Sequence, residues 1–257
     1  MRIRTKHFVM AFVGLGLLAG EAYADPVTFL ATDPGAGPGS ARPNSDAMAA
    51  TFDAAAAAIG PIFKFTFENA SLGSFHNLTA SGVSINGTDA NGVDQTIRNT
   101  SNLPAAPSLD GFNTTAGGSQ FVEMIGGNLV FTFAQPTQFF GAYLTGVQTV
   151  FFSDTFTFSD GTSQTLTIPQ MGTSNMTGGV AFVGFTDAGK SISSVTINAG
   201  IPDSHLTGSD DIGVDDVRYQ TQSVPEPSVI LNFIVGGLVC SGYIVRRRQS
   251  GRKIAVR

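Results

Sequence analysis

The stretch IFKFTFE, residues 62–68, puts Phe63, Phe65 and Phe67 on one parity and Lys64, Thr66 and Glu68 on the other. Successive side chains of a strand point to opposite faces, so this alternation predicts a half-buried strand and excludes an amphipathic helix. LVFTFAQP repeats the pattern with Leu129, Phe131 and Phe133. TFTFSDGTSQTLTIP predicts a hairpin, with Phe156 and Phe158 before an Asp160-Gly161 turn and Leu166 and Ile168 after it. AFVGFTDAGKSISSVTI predicts a second, turning at Asp187-Ala188-Gly189, and IGVDDVRY predicts the last strand. Short strands with closely spaced turn signals point to an all-β fold, an antiparallel β-sandwich of jelly-roll type. With 21 Phe and no Trp in the chain, Phe is expected to pack the sheet interface.

The flanks read differently. DPVTFLATDPGAGPGSAR, residues 25–42, is punctuated by Pro and Gly and predicts a linker. A short helix follows, capped by Ser45 or Asp46, with Met48, Phe52 and Ile59 on one face and Gly60-Pro61 as its stop. Asn86 to Gly118 is expected to be loop-rich, without a clear strand. This organisation predicts a signal peptide over 1–24, a linker with a short helix over 25–60, the β-sandwich over 61–222 and a C-terminal signal over 223–257.

The first residues have the form of an export signal. Arg2, Arg4 and Lys6 precede the apolar FVMAFVGLGLLAG, and Ala22, Tyr23 and Ala24 form a small-residue cleavage site before Asp25. Between Asp25 and Val224, five basic residues stand against 17 acidic ones, a balance of −12. Such a surface repels nucleic acid, which is excluded as a partner, and suits divalent cations. The single cysteine, Cys240, lies in the C-terminal apolar run, so the exported part has no disulfide, as is usual for a bacterial rather than a eukaryotic secreted domain.

At the other end, Val224, Pro225, Glu226 and Pro227 precede residues 228–245, an uncharged apolar stretch just long enough to cross a bilayer core. Arg246, Arg247 and Arg248 follow at once and open a basic tail over 246–257. The arginines place that tail in the cytoplasm and the β-domain outside. This tripartite end resembles the PEP-CTERM sorting signal of Gram-negative bacteria, a match that covers about a tenth of the chain. The resemblance implies export through the translocon and signal peptidase, parking in the inner membrane, and processing at Pro-Glu-Pro by an exosortase. Passage to the cell surface or extracellular matrix follows. Pro225 and Pro227 suit that processing, since they hold an extended backbone just outside the bilayer.

Within the β-domain the strongest candidate site is GSDDIGVDDVRY. Ile212 and Val214 share one parity, Val217 and Tyr219 the other, so the apolar phase slips at Asp215-Asp216. Such a slip predicts a β-bulge or an inward carboxylate. The pairing of FTFENASLGSF early with IGVDDVRY late resembles calcium-binding jelly-roll modules, including carbohydrate-binding and MAM-type domains. That resemblance implies one structural Ca²⁺ held by Glu68 and by Asp215 or Asp216 with backbone carbonyls, Asp210 and Asp211 being weaker candidates. On the residues alone, Asp215 or Asp216 serves equally well as a turn cap or as a partner of Arg218 or Lys64. No Gly-x-Ser-x-Gly, His-Glu-x-x-His or phosphate-cradling loop occurs, and no carboxylate pair stands out, so no enzyme activity is expected. The expected role is structural or adhesive, in an exopolysaccharide or biofilm setting. The alternatives are a carbohydrate-binding module, with Tyr143 or Tyr219 as its sugar-stacking aromatics, and a secreted hydrolase.

Overall fold

The computed structural model of the 257-residue chain describes residues 27–88, 92–100, 111–147, 153–158, 161–169, 171, 179–186, 190–199 and 211–220. The expected signal peptide, sorting motif, apolar span and basic tail lie outside these residues. Among the described residues no helix is long and apolar enough to cross a membrane.

The elements run β1 (Val27–Pro34), α1 (Pro43–Ile59), β2 (Ile62–Phe65), β3 (Gly73–Phe75), β4 (Asn77–Ala80), β5 (Val83–Thr88), β6 (Gln95–Arg98) and β7 (Phe121–Ile125). Then follow β8 (Asn128–Thr137), β9 (Phe139–Thr145), β10 (Ser153–Phe158), β11 (Ser163–Thr167), β12 (Gly179–Thr186), β13 (Ile192–Asn198) and β14 (Asp211–Gln220). They form two antiparallel sheets. One has the order β1-β12-β9-β14-β7-β6-β3, with β2 also on β14; the other has the order β11-β10-β13-β8-β5-β4. The expected all-β sandwich is what these strands build.

Alternation explains the core. Leu129, Phe131 and Phe133 of β8, with Val83 and Ile85 of β5 and Val195 and Ile197 of β13, face inward from the six-stranded sheet. They meet Phe140 and Leu144 of β9, Val183 and Phe185 of β12, and Val214, Val217 and Tyr219 of β14. Phe131 and Phe133 pack on Phe140 with ring centroids 5.2 and 6.3 Å apart, the Phe-rich interface that composition implied.

The eight-stranded sheet is covered on its other face too, by α1 over β1, β12 and β9. Phe52 is wholly buried against Phe29, Phe139 and Phe182. Gly141 and Gly184, opposite each other on β9 and β12, leave the hollow it fills; a Cβ on Gly184 would lie 2.7 Å from the Phe52 ring. Burial on both faces is why β9 and β12 are apolar on both parities. It also corrects the second predicted hairpin. β12 belongs to the eight-stranded sheet and β13 to the six-stranded one, so the chain crosses between sheets there.

Two further expectations change. Residues 25–42 are not a linker throughout, because β1 pairs with β12 from Val27 to Pro34. Asp33 disguised that strand: it is a buried carboxylate where an alternating pattern calls for an apolar residue. Its oxygens accept the N–H groups of Asn44 (3.1 Å) and Ser45 (2.7 Å), so Asp33, and not Ser45 or Asp46, caps α1 from outside. Burial works against the ionised form, but these donors outweigh it and hold the Asp33 pKa below the ordinary carboxylate value. The second change is in the loop-rich stretch from Asn86, which contains β6, paired with both β3 and β7.

Gly184→Val should expel Phe52 and cost about 1–3 kcal/mol, the usual range for overpacking, while Phe52→Ala should cost about 3–5 kcal/mol. Chemical denaturation of each variant reads both losses, and Gly184→Val combined with Phe52→Leu should recover part of the first. Asp33→Ala should cost about 1 kcal/mol at neutral pH. Since the folded-state pKa is depressed, that difference should persist above the ordinary carboxylate pKa and vanish as pH falls through the folded value.

Candidate functional site

β14 keeps β9 on one side along most of its length but changes neighbours on the other. Asp211–Val214 pair with β7, and Val217–Gln220 pair with β2. Between Asp215, opposite Tyr143, and Arg218, opposite Gly141, the register slips, and Asp216 takes φ +51°. This is the bulge predicted from the phase slip. It returns Val217 and Tyr219 to the inter-sheet core beside Ile212 and Val214, all at most 1% exposed. Asp215 is thereby aimed at the opposite face, which it shares with Tyr143.

The loop from Gly111 to Gln120 lies on that face. Gly111, at φ +48°, rests against Gly213 so closely that a Cβ on it would sit 2.1 Å from the Gly213 nitrogen. Thr145 Oγ1 accepts the N–H of Phe112 (2.7 Å) and donates to its carbonyl (2.9 Å). Asp215 Oδ2 accepts the N–H of Thr114 (2.7 Å) and of Thr115 (3.1 Å), with both hydroxyls 3.0–3.2 Å away. Glu68 holds the other end, accepting the N–H of Ser119 (2.9 Å) and Gln120 (2.8 Å) and the side-chain amide of Asn113 (2.8 Å). The two acids meet as clamps on one loop, whose run NTTAGGSQ supplies the donors.

Asp215 Oδ1 is buried and has no hydrogen-bond partner. Burial raises the Asp215 pKa most, the Thr114 N–H opposes it, and the neighbouring Asp216 carboxylate adds to the rise, leaving it at about 6. Asp216 Oδ1 lies 3.2 Å from the Thr115 hydroxyl. Among the described residues no group of three or more His, Cys, Asp or Glu is placed to hold a metal. For the Ca²⁺ that the jelly-roll resemblance implies, the residues fit in part. Asp215 offers a buried, unpartnered carboxylate oxygen beside a second carboxylate, whereas the oxygens of Glu68 already accept three donors. Asp210 lies outside the described residues, and the backbone of Asp211 opens β14 opposite Ile125.

The loop forms one wall of a cleft of about 490 Å³, with Gly37–Ser40, Arg42 and Asp46 on the other side and Asn99 and Asn113 lining it. Arg42 and Asp46 tie that side of the cleft into an ordered charge stack. Arg42 donates to Asp46 (2.9 Å) and to the Thr114 carbonyl (2.7 Å), and its guanidinium lies 4.7 Å from the Tyr143 ring centre. Tyr143 donates its phenol to Asp46 (2.7 Å), and Arg218 approaches the same ring at 5.2 Å. Arg218 pairs with Asp53 of α1 (2.9 Å), as does Lys64 (3.2 Å). The basic partners proposed for Asp215 and Asp216 therefore serve the helix, apart from an Arg218 bond to the Asp216 carbonyl (2.7 Å).

Both tyrosines expected to stack on sugar are interior. Tyr143 is 3% exposed and Tyr219 1%, the latter in the inter-sheet core near the Ala80 carbonyl (3.3 Å). Neither presents a face to solvent, because both lie on central strands of a sheet covered on two sides. The residues that line the cleft, Arg42, Asn113 and Thr114 among them, carried no sequence signal beyond that of a polar loop.

No known protein family and no curated protein matches this chain. Among solved structures, the enzymatically active domain of tailspike protein 4 of bacteriophage CBA120 is similar over 56% of this chain and 21% of its own, with 18% identity and a TM-score of 0.28. The present chain thus spans about a fifth of that one, and a likeness this slight bears on no function.

The raised pKa sets a sign for stability. The folded state holds the Asp215 proton more tightly than the unfolded chain, so its contribution is full below the unfolded value near ~4 and is lost as pH rises through about 6. The stability difference between the parent and Asp215→Asn should therefore shift against the parent from pH 4.5 to pH 7 and then level off. Parallel denaturation curves check this; a difference independent of pH would contradict the buried, unpartnered carboxylate.

Proposed function

We propose that this chain is an exported, non-enzymatic surface or extracellular-matrix protein with a structural or adhesive role, sorted through its C-terminal Pro-Glu-Pro signal. The observation that carries this is the juncture. β14 ends at Gln220, and only three residues separate it from Val224, so the sorting motif follows directly on the last strand of the sandwich. An exosortase that cuts at Val224–Pro227 would release the sandwich whole. The acids in the domain support a non-catalytic reading, for Glu68 and Asp215 are engaged in holding backbone.

Mass spectrometry of the mature protein from its native cells tests the sorting reading. A C-terminus near Pro225–Pro227, with Arg246–Arg248 gone, is the expected result. Retention of Arg257 in the membrane fraction would leave a tethered module in place of a sorted one.

A structural Ca²⁺ belongs to the same proposal, held by Asp215 with Asp216, while Glu68 anchors the loop. Bound there, it would neutralise the unpartnered carboxylate oxygen and stiffen the Thr114–Thr115 wall of the cleft. Millimolar Ca²⁺ should raise the melting temperature of the parent and leave Asp215→Asn unchanged; equal shifts in both would remove the ion from this place. Carbohydrate binding is a second reading, favoured by the polar cleft and no longer by the tyrosines.

A further inference from the structure

The outer face of the six-stranded sheet carries a pattern that neither the cleft nor the sorting signal uses. Registering its strands from β11 to β4 aligns Ser163, Thr157, Ser194, Thr132, Ser84 and Thr79 in one row across the sheet. The next row holds Thr165, Thr155, Thr196, Val130, Asn86 and Asn77. A third continues through Thr167, Asn198, Asn128 and Thr88. Every one of these residues is exposed or half-exposed, and among the described residues the only helix, α1, covers the other sheet.

All are Ser, Thr or Asn except Val130, and none is charged. Strand propensity accounts for the threonines, but Asn is depleted in strands, and four occupy this face. Solubility is no explanation either, since charged side chains serve it better and none of these rows holds one. The rows repeat at the strand spacing of about 4.8 Å in one direction and at two-residue steps of about 6.8 Å in the other. The side chains bond within a row, as Thr155 does to Thr165 (3.1 Å), and between rows, as Ser84 does in donating to Asn77 (3.3 Å).

We propose that this face is a contact surface for a neutral, hydroxyl-covered polysaccharide, bound through many weak, repeated hydrogen bonds. This rests on the reading of the chain as a surface or matrix protein. An uncharged face suits an uncharged partner, while an exported part whose balance from Asp25 to Val224 is −12 repels anionic glycans. A second copy fits poorly, because two such faces would bury almost none of the apolar surface on which a stable homodimer interface rests. Hydroxyls and amides both donate and accept, as do sugar hydroxyls, so contacts need no single register and gain strength by number.

The test is co-sedimentation of the mature protein, recovered from producing cells, with microcrystalline cellulose and with alginate beads. Retention on cellulose but not on alginate is expected. Thr132→Lys with Thr165→Lys should lower the retained fraction at least tenfold, with circular dichroism and melting temperature unchanged. The paired Ser substitutions and Thr51→Lys on exposed α1 should retain binding. Absence of retention by the parent overturns the proposal, as does equal retention by the Lys variant. Loss in Asn113→Ala alone would move binding to the cleft and overturn it too. A concentration-dependent dimer abolished by the Lys pair would assign the face to a second copy. None of these outcomes depends on the C-terminus, so an untrimmed tail sinks the sorting reading separately.

Discussion

The change of partners along β14 organises the molecule. A strand in the middle of a sheet must satisfy its backbone on both edges, and β14 does so with β9 on one side and with β7 and then β2 on the other. The bulge at Asp216 makes room for that exchange and shifts the side-chain phase by one. Without the shift, either the Ile212–Val214 pair or the Val217–Tyr219 pair would leave the inter-sheet core. With it, a carboxylate is left on the helix side, where burial is costly unless donors arrive. The Gly111–Gln120 loop brings them.

One loop therefore couples core to cleft. Asp215, Glu68 and Thr145 hold its backbone, it forms one wall of the cleft, and its Thr114 carbonyl accepts from Arg42 of the Arg42–Tyr143–Arg218 stack. The left-handed conformations of Phe67 and Asp216 flank the two clamping acids. Such conformations in non-glycine residues are costly and persist only where surrounding contacts over-determine them. Here the contacts are the buried Phe67 ring on one side and the Arg218 bond to the Asp216 carbonyl on the other.

The two sheets divide the surface between them. The eight-stranded sheet is packed on two sides, with the inter-sheet core on one face and α1 and the Gly111–Gln120 loop on the other. Its paired glycines exist to seat Phe52. The six-stranded sheet has a covered face and an open one, and the open one is tiled with hydroxyls and amides. A cleft and a tiled face are different kinds of surface, one suited to a single enclosed ligand, the other to an extended one.

Period-two alternation determined by itself that the chain is a β-sandwich, and it located β8, the β10–β11 hairpin and β14, because a strand buried on one face advertises its parity. The phase slip located the bulge for the same reason. Alternation failed wherever burial was not one-sided. β12 is apolar on both parities and was joined to β13 as though in one sheet, and Asp33 hid β1 because its carboxylate serves the helix N-terminus ten residues later. Glu68 and Asp215 were legible as important acids. Their common target was not, since the donors on Asn113–Gln120 lie about a hundred residues from Asp215 and only the folded backbone joins them. Tyr143 and Tyr219 look like surface aromatics in a list of residues; two covered faces put them inside. A sequence states what a residue can offer, and the tertiary structure decides which groups stand close enough to accept it.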